Sequence, residues 1–509
     1  MTISAFFSLA VVLLMWVAAW NLRSVKARQS LLLLASYFFY SRWGWGFLSI
    51  LILSSLLNFS IGSLLHRRLN ARYLWLGILV NIALLGFFKY LPPILAATGT
   101  GSQSEFARHI LMPVGISFWT FQGLSYLIDV YLEEEIDPSL LEFCLYMAFW
   151  PTVLLGPVCR LPKMLPQFRR APAFSWDDLS AGAVGVLQGA FMKMYLAQFL
   201  ASGWSRGGGV TAGFDQIASG WGGLDVWLLG IGYGFQLFFD FAGYSLMVIG
   251  IARVFGIEIA QNFDRPFLST TPAVFWTRWH MSLSFWIRDY VFKPLSFARR
   301  ERWWPHVALL VSMTLFGLWH GAKGTFIAFG MYHGLILVGH RVGQTMKPLG
   351  LRRVPGPVRS VAAWATTFGL MSIGFVLFRA NTFRQARVML AATVSPSAYQ
   401  HVVLPRGLYL LTGAIAAGYF VVIGVGALLR SYRVRYIEAH TQAVRSAGTA
   451  AAVTAFDSRV VLGGLIDFVA TRVWWWLAPA VVTLTLFVSW AMYEQQAAVA
   501  VTPFIYTLF

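Results

Sequence analysis

Apolar stretches of about the length needed to cross a bilayer, ~20 residues, recur along the chain between short polar loops. The clearest of them occupy residues 3–20, 47–65, 73–88 and 474–492. About eleven to thirteen such segments can be counted by this length criterion, some of them short or broken. The pattern predicts an all-α polytopic membrane protein built from transmembrane and re-entrant helices.

The composition agrees with that pattern. Of the 509 residues, 58% are hydrophobic and 12% are charged, whereas a soluble domain carries about 25% charged residues. No internal repeat and no long low-complexity linker interrupts the chain, so we expect a single integral membrane domain, 1–509. Within it, residues 105–345 hold most of the polar side chains that lie in apolar surroundings. Residues 346–509 return to plain helices, with a more polar stretch at 431–470 and an aromatic tail.

The formal net charge of +19 comes from basic residues in short loops. These loops are 23–28, 67–72, 160–170, 299–302, 341–353 and 430–435. Such a distribution is typical of cytoplasmic loops and of contact with anionic membrane lipid headgroups. No basic-aromatic module for nucleic acid is present. The first apolar segment has its charges after it, so we expect a retained helix rather than a cleaved signal peptide.

The chain contains two cysteines, Cys144 and Cys159. Two cysteines exclude a disulfide framework and a zinc cluster built from thiolates. We expect both to be small core residues, and the sequence predicts no metal site.

The stretch 269–290 is predicted to form one amphipathic helix. Thr271 is placed to cap its first turn, and Pro272 suits the first helical position. One face carries an aromatic and aliphatic set: Trp276, Trp279, His280, Leu283, Trp286, Ile287 and Tyr290. Arg278, Ser282, Arg288 and Asp289 fall largely elsewhere. A helix of this kind is expected at the membrane interface, with His280 on the apolar side.

His320 lies in an apolar run where an ionisable group needs a reason. A helix that begins near Pro305, beside the basic loop 299–302, has advanced about 22 Å by residue 320. Residues 321–324 then turn the chain, and residues 325–340 return it to the basic side. His320 is therefore expected deep in the membrane near the tip of a hairpin, surrounded by Phe316 and Trp319. A neutral imidazole in such a dry pocket can serve as a general base.

Asp240 and Gln236 lie one helical turn apart inside another apolar run. A carboxylate in the membrane needs a partner or a proton. Two partners are considered: a histidine that the carboxylate would orient, or an arginine within the bundle.

Several motifs, in order, resemble the membrane-bound O-acyltransferase family, in the branch that contains bacterial polysaccharide O-acetyltransferases. They span roughly residues 105–345 and comprise 112–118, 149–157, 239–245, 262–267, 278–295 and 317–321. The resemblance implies helices around a central catalytic funnel, with 105–345 as the acyltransferase core. At the position after Ser245, where the family often has an acidic residue, this chain has Leu246.

The resemblance also implies roles for two histidines, His320 and His280. His320 matches the catalytic histidine of the family, the alternative being an imidazole satisfied by a backbone carbonyl. His280 matches a second position that is occupied by His or Asn in different branches. It is either a direct participant that stabilises the developing oxyanion or a group that shapes the pocket. His333, on the return helix, is expected to be structural.

Other side chains are candidates for contact with substrate. Arg278 and Arg288, with Lys293, are suited to the phosphates of a coenzyme A thioester, or alternatively to lipid headgroups. Ser282, Trp319 and Asp240 are the further candidates near the two histidines.

The aromatic tail, residues 502–509, resembles a C-terminal motif of this branch and of small companion proteins of teichoic acid D-alanylation. In that motif the tyrosine is proposed to carry the acyl group. Tyr506 is therefore a candidate acyl carrier, and an interfacial anchor is the alternative.

The function implied is transfer of an acyl group, expected to be acetyl, from a cytoplasmic donor such as acetyl-CoA across the bacterial inner membrane. The acceptor would be an exopolysaccharide such as alginate. The expected partners are a periplasmic SGNH or esterase-like acyltransferase and the polysaccharide synthesis machinery, with no permanently bound cofactor. Peptidoglycan, cellulose or teichoic acid are alternative acceptors, and a proton-coupled transporter is the alternative of another class.

Overall fold

A computed structural model of the chain describes residues 14–98, 110–132, 136–171, 173–203, 208–215, 220–345 and 355–447. These residues contain helices and loops but no strand. Beyond a helical stretch at 14–21, the helices in chain order are α1 Val25–Ser41, α2 Trp45–Arg67, α3 Ala71–Leu85, α4 Leu91–Thr98, α5 Ile116–Tyr131, α6 Leu140–Ala148, α7 Leu161–Arg169, α8 Trp176–Phe191, α9 Gln198–Ser202, α10 Val210–Asp215, α11 Gly223–Val254, α12 Pro272–Trp276, α13 Met281–Ile287, α14 Lys293–Phe297, α15 Trp304–His320, α16 Gly324–Thr345, α17 Gly356–Arg379, α18 Phe383–Val394 and α19 Arg406–Ala447.

Six of the described helical stretches are long and apolar enough to cross a membrane. They are Trp45–Arg67, Ala71–Ala96, Trp176–Ser202, Gly223–Val254, Gly356–Arg379 and Arg406–Leu429. The protein is therefore an all-α, multi-pass membrane protein, as predicted. The predicted span at 474–492 lies outside the described residues.

Helix α11 is the central element of the fold. Its 32 residues extend about 48 Å, and it packs against α8, α17, α18 and α19. At its N-terminus the buried carboxylate of Asp225 accepts hydrogen bonds from the backbone N–H groups of Gly222, Val403 and Leu404 and from the Tyr409 hydroxyl. Asp240 follows 15 residues later, about 22 Å along the axis, near the middle of the helix.

Small residues bring α8 and α11 into close contact. A Cβ on Gly189 would lie 2.3 Å from the Gly243 carbonyl oxygen, and one on Gly250 would lie 2.4 Å from that of Gly182. Glycine at these positions lets the two backbones approach closely, as is common between membrane helices.

Several of the basic loops meet at the end of α11 that carries Val254. The Arg28 guanidinium donates to the Phe255 carbonyl oxygen at 2.6 Å, and Arg253 pairs with Asp178 at 3.0 Å. Arg169 pairs with Glu142 at 2.8 Å, and this hydrogen bond is the main cause that lowers the pKa of Glu142 to about 2. These contacts place two of the predicted basic loops, 23–28 and 160–170, on one side of the protein.

The predicted helical hairpin around residue 320 is confirmed. Helix α15 ends at His320, and α16 returns from Gly324. The two helices touch through glycines, because a Cβ on Gly317 would lie 2.2 Å from the Phe326 carbonyl oxygen and one on Gly330 would lie 2.3 Å from that of Met313.

The prediction of one interfacial helix over 269–290 is wrong in two respects. Thr271 does cap α12, with its hydroxyl oxygen accepting from the Val274 N–H at 3.1 Å. The chain then leaves the helical path at 277–280 and begins α13 after His280, whose φ is +44°. Moreover, Trp279, His280 and Leu283 are buried, and the His280 ring meets Phe241 near the middle of α11. The segment enters the bundle instead of lying at its surface.

Candidate active site

A small cavity lies beside the middle of α11, with a volume of about 30 Å³. It is lined by Leu237, Asp240, Phe241, Trp279, His280, Phe316, His320, Phe329, Phe375 and Phe378. Two imidazoles and one carboxylate thus face a space that is otherwise aromatic and aliphatic. The volume is enough for one or two water molecules, so a substrate needs side chains to move before it can enter.

His320 enters the cavity from the end of a regular helix. It is the last residue of α15, and its ring lies 4.9 Å from the Phe378 ring, 5.2 Å from Phe316 and 4.9 Å from Trp319, measured between centroids. Phe326 lies 6.0 Å away. His320 is buried near the tip of the hairpin with Phe316 and Trp319 around it, as predicted.

His280 enters the same cavity from an irregular turn. Its left-handed backbone, with φ +44°, costs a non-glycine residue roughly 1–3 kcal/mol. Its ring meets the Phe241 ring edge-on at 4.6 Å and lies 6.2 Å from Trp319. Trp319 therefore contacts both imidazoles, which is the structural reason to group the three residues.

Asn262 holds the turn that carries His280. Its side-chain oxygen lies 3.1 Å from His280 Nδ1 and accepts from the Ser282 N–H at 3.2 Å and the Ser282 hydroxyl at 2.9 Å. Its carbonyl oxygen accepts from the Met281 N–H at 2.8 Å. Sequence reasoning placed Asn262 only at the start of a motif and did not assign it a role.

Asp240 pairs with a lysine, Lys193, and not with either of the two partners considered, a histidine or an arginine. Lys193 Nζ donates to Asp240 Oδ1 at 2.5 Å, from the π-helical turn that follows α8. Asp240 Oδ2 is buried without a hydrogen-bond partner among the described residues. Asp240 is thus the predicted substrate-binding residue that lines the cavity together with both histidines.

Lys89 is a residue near the site that sequence reasoning missed. It is buried on the π-helical turn Gly86–Tyr90, where Nζ donates to the Ser117 hydroxyl at 3.2 Å and lies 4.9 Å from the Trp319 ring centroid. The next residue, Tyr90, donates to the Leu318 carbonyl oxygen at 2.9 Å. A single lysine inside an apolar run was the available signal, because such a residue is costly unless it has a function or a partner.

Two further predicted substrate-binding residues, Arg278 and Ser282, are not among the residues that line the cavity. The Ser282 hydroxyl accepts from the Val158 N–H at 3.0 Å while donating to Asn262, so it supports the turn. Arg278 does not line the cavity, and its carbonyl oxygen accepts from the Asp264 N–H at 3.0 Å. The Ser282 side chain and the Arg278 backbone therefore support the turn.

Arg288 lies at the surface end of the same segment, in a cluster around Asp289. Arg288, Lys293 and Arg160 all pair with that carboxylate, at 2.9, 2.8 and 2.8 Å. Burial acts to raise the pKa of Asp289, but the hydrogen bonds from these three cations outweigh it and hold the pKa below its usual range. Two of the candidate phosphate ligands are thus already engaged by an acidic side chain.

His333 is buried but does not line the cavity. Its ring packs on Phe329 at 4.5 Å and on Trp276 at 5.1 Å, and it fills the space beside Gly374. This packing agrees with the structural role expected for it. Tyr506, the candidate carrier, lies outside the described residues.

A much larger groove, of about 1320 Å³, lies on the neighbouring face of α11. Helices α8 and α19 form its apolar walls, and the loop 261–265 contributes its polar part. Among the residues that the structure describes, no group of three or more His, Cys, Asp or Glu side chains is arranged to hold a metal.

Two buried imidazoles thus share one cavity in the helical bundle, and a neutral imidazole is a group that can take up a proton. The sequence model of the membrane-bound O-acyltransferase family matches residues 67–349. The chain belongs to this family, and it is an O-acyltransferase. A second model, for a family of unknown function (DUF5989), matches residues 460–509.

Named relatives agree with this assignment. The chain is 35% identical to a probable alginate O-acetylase of Pseudomonas syringae pv. tomato over 382 residues, which cover 73% of this chain and 70% of the relative. Its identity to a probable alginate O-acetylase of Pseudomonas aeruginosa is also 35%, over 389 residues that cover 74% and 71%. A peptidoglycan O-acetyltransferase of Helicobacter pylori is 30% identical over 395 residues, covering 71% and 73%.

Proposed function

We propose that the protein takes an acetyl group from acetyl-CoA on the cytoplasmic side and moves it across the membrane for O-acetylation of an exopolysaccharide such as alginate. The observation that carries the proposal is the shared cavity of His320 and His280, combined with the identity to the probable alginate O-acetylases. A protein with these properties acts in the bacterial inner membrane. The enzyme family favours this covalent chemistry over a proton-coupled transporter.

In this mechanism His320 is the general base. Its imidazole lies in an aromatic enclosure, where a neutral ring can take the proton of an acceptor hydroxyl as the oxygen attacks the acyl carbonyl carbon. The bond between that carbon and the donor sulfur breaks, and the proton passes to the leaving thiolate. His280 and Asp240 are the other polar groups in reach of the reacting atoms, and Trp319 holds both rings in place.

Tyr506 is the proposed acyl carrier toward the outer face. A phenol oxygen can take the acyl group when a base removes its proton. A periplasmic esterase-like acyltransferase of the SGNH type would then place the group on the polymer, in contact with the synthesis machinery. Arg278 and Arg288 remain candidates for binding the phosphates of the donor.

A second acceptor is peptidoglycan, which is favoured by the identity to the Helicobacter pylori enzyme. The two acceptors differ in where the ester acetate is found. Chemical analysis of separated exopolysaccharide and peptidoglycan from cells with and without the protein decides between them.

The experiment for the mechanism compares ester acetate on the envelope polymer in cells with the wild type, His320→Ala or Tyr506→Phe. Loss of ester acetate in both variants at normal protein level supports a histidine base and a tyrosine carrier. Loss of ester acetate with His320→Ala but not with Tyr506→Phe would indicate that the aromatic tail is an anchor. Unchanged acetate with His320→Ala contradicts the proposed mechanism.

A further inference from the structure

The hydrogen bonds behind His280 determine which of its nitrogens carries the proton. The Ser282 backbone N–H can only donate, so the Asn262 atom that faces it at 3.2 Å is the side-chain oxygen. The same oxygen lies 3.1 Å from His280 Nδ1. An oxygen cannot donate, and two facing lone pairs repel, so Nδ1 must carry a hydrogen.

The opposite nitrogen of the ring, Nε2, is the one that can accept a hydrogen bond from a substrate. In a neutral imidazole with hydrogen on Nδ1, Nε2 bears a lone pair. His280 Nε2 is buried and has no hydrogen-bond partner among the described residues, and the residue lines the cavity that His320 shares. A buried acceptor without a partner is costly, which is expected where a substrate group completes the hydrogen bond.

Asn262 also holds the backbone in the conformation that this arrangement needs. Its carbonyl oxygen accepts from the Met281 N–H at 2.8 Å, and its side chain accepts from the Ser282 N–H. These two bonds hold Met281 and Ser282, the two residues that follow His280. His280 itself has a left-handed φ of +44°. Asn262 is itself fully buried, so its side chain is fixed by packing as well as by hydrogen bonds.

We propose that Asn262 is a positioning residue that locks His280 as the Nδ1–H tautomer and aims its Nε2 lone pair into the cavity. His280 Nε2 therefore accepts a hydrogen bond from a donor group of the substrate and does not donate to an oxyanion, while His320 remains the general base. This differs from the expectation that His280 stabilises the oxyanion, and it rests on the acyltransferase site proposed above. The titratable groups that share the cavity are His320 and Asp240, the latter paired with Lys193.

In the proton step, the hydroxyl O–H bond breaks toward His320 as the oxygen forms its bond to the acyl carbon. The bond between that carbon and the leaving atom breaks, and the proton on His320 then moves to the leaving atom. Protons and electrons balance without a further reactant, and His280 stays in the Nδ1–H tautomer with its Nε2 lone pair accepting a hydrogen bond from the substrate. Through the whole step Asn262 accepts the Nδ1 hydrogen bond.

A direct test is ¹⁵N NMR of the histidine-labelled full-length protein in lipid nanodiscs, at a pH where the imidazole is neutral. The His280 signals are assigned by their loss in His280→Gln. We expect a protonated Nδ1 and a bare Nε2 in the wild type, and a mixture of both tautomers in Asn262→Ala. A bare Nδ1 with a protonated Nε2 overturns the proposal. So does an Asn262→Ala spectrum that is identical to the wild type.

The rate of acyl transfer gives a second readout. Radiolabelled acetyl-CoA is supplied to membrane vesicles, and the label that appears on the acceptor is measured. Asn262→Ala is expected to lower kcat by about 10- to 100-fold, by analogy with the residues that orient metal-bound histidines, with little change in KM. The matched control is Asn81→Ala, which removes another buried, hydrogen-bonded amide between α2 and α3. It is expected to leave kcat per folded protein unchanged.

The Asn262→Asp variant distinguishes a role of Asn262 in positioning His280 from a role in packing alone. A carboxylate keeps the acceptor oxygen but favours the protonated imidazole, so the acidic limb of the pH–rate profile should move to higher pH. An unshifted limb, or equal losses for Asn262→Ala and Asn81→Ala, contradicts the proposal. If the wild type transfers no label from acetyl-CoA, that result contradicts only the proposed donor. The NMR result alone then decides the tautomer of His280.

Discussion

The two histidines of the cavity reach it on backbones of opposite kinds. His320 is the last residue of a regular helix, and its place is set by the glycine contacts between α15 and α16. His280 sits at a break between two short helices with φ +44°, and its place is set by hydrogen bonds to Asn262. One imidazole is positioned by close packing and the other by a buried polar network. The position of His320 should therefore respond to changes in side-chain volume, and the position of His280 to changes in hydrogen bonding.

The largest effect is expected from removing the regularly placed imidazole. His320→Ala should lower acyl transfer by about 10²- to 10⁴-fold, the usual contribution of a general base. Ester acetate on the envelope polymer, normalised to protein level, measures it. The control is His333→Ala, which removes a buried imidazole from the neighbouring helix but not from the cavity. Equal losses in the two variants would mean that the His320 effect is structural.

A change of volume in the hairpin should displace His320 without touching its chemistry. A Cβ at position 330 would lie 2.3 Å from the Met313 carbonyl oxygen, so Gly330→Ala should cost about 1–3 kcal/mol through overpacking. We expect lower thermal stability in detergent together with reduced transfer. Gly339→Ala on the same helix, with nothing within 4 Å of the new Cβ, should leave both unchanged. If the two variants behave alike, close packing does not position His320.

Lys89 is a buried neighbour of Trp319, whose ring contacts both imidazoles. Replacing Lys89 tests whether this lysine holds Trp319 in place. Lys89→Met keeps the length of the side chain but removes the ammonium that lies over the Trp319 ring. A desolvated cation–π contact is worth roughly 1–2 kcal/mol, so transfer should fall by about 5- to 30-fold. Lys163→Met, an exposed lysine on α7, is the control. Unchanged transfer in Lys89→Met would remove Lys89 from the site.

The smallest effect is expected at the surface end of the segment that carries His280. Arg288 is half exposed and pairs with Asp289, which also has Arg160 and Lys293 as partners. An exposed ion pair contributes about 0–1 kcal/mol, so Arg288→Ala should change the KM for acetyl-CoA by no more than about fivefold. Initial rates at varied donor concentration measure it. A larger rise in KM would assign Arg288 to the donor phosphates.

The sequence was most informative where local rules apply. Helix α15 could be predicted with its turn and the burial of His320, because an apolar run of known length and a glycine-bounded turn leave few alternatives. The cap at Thr271 followed from residue type in the same way. The site was less predictable. Lys193 as the partner of Asp240 depends on the close contact of α8 with α11, which joins residues 47 positions apart.

The sequence alone determined that this is a helical protein of the membrane and that His320 lies near the tip of a helical hairpin. Bilayer thickness and helix rise are properties of the solvent and the backbone, and they act on each segment separately. Tertiary structure decided the break at His280, the burial of that segment and the contact between its ring and Asn262. The helical periodicity over 272–290 is real, yet Asn262, 18 positions before His280, offers hydrogen bonds that a continuous helix could not use. Only the folded chain brings these groups together.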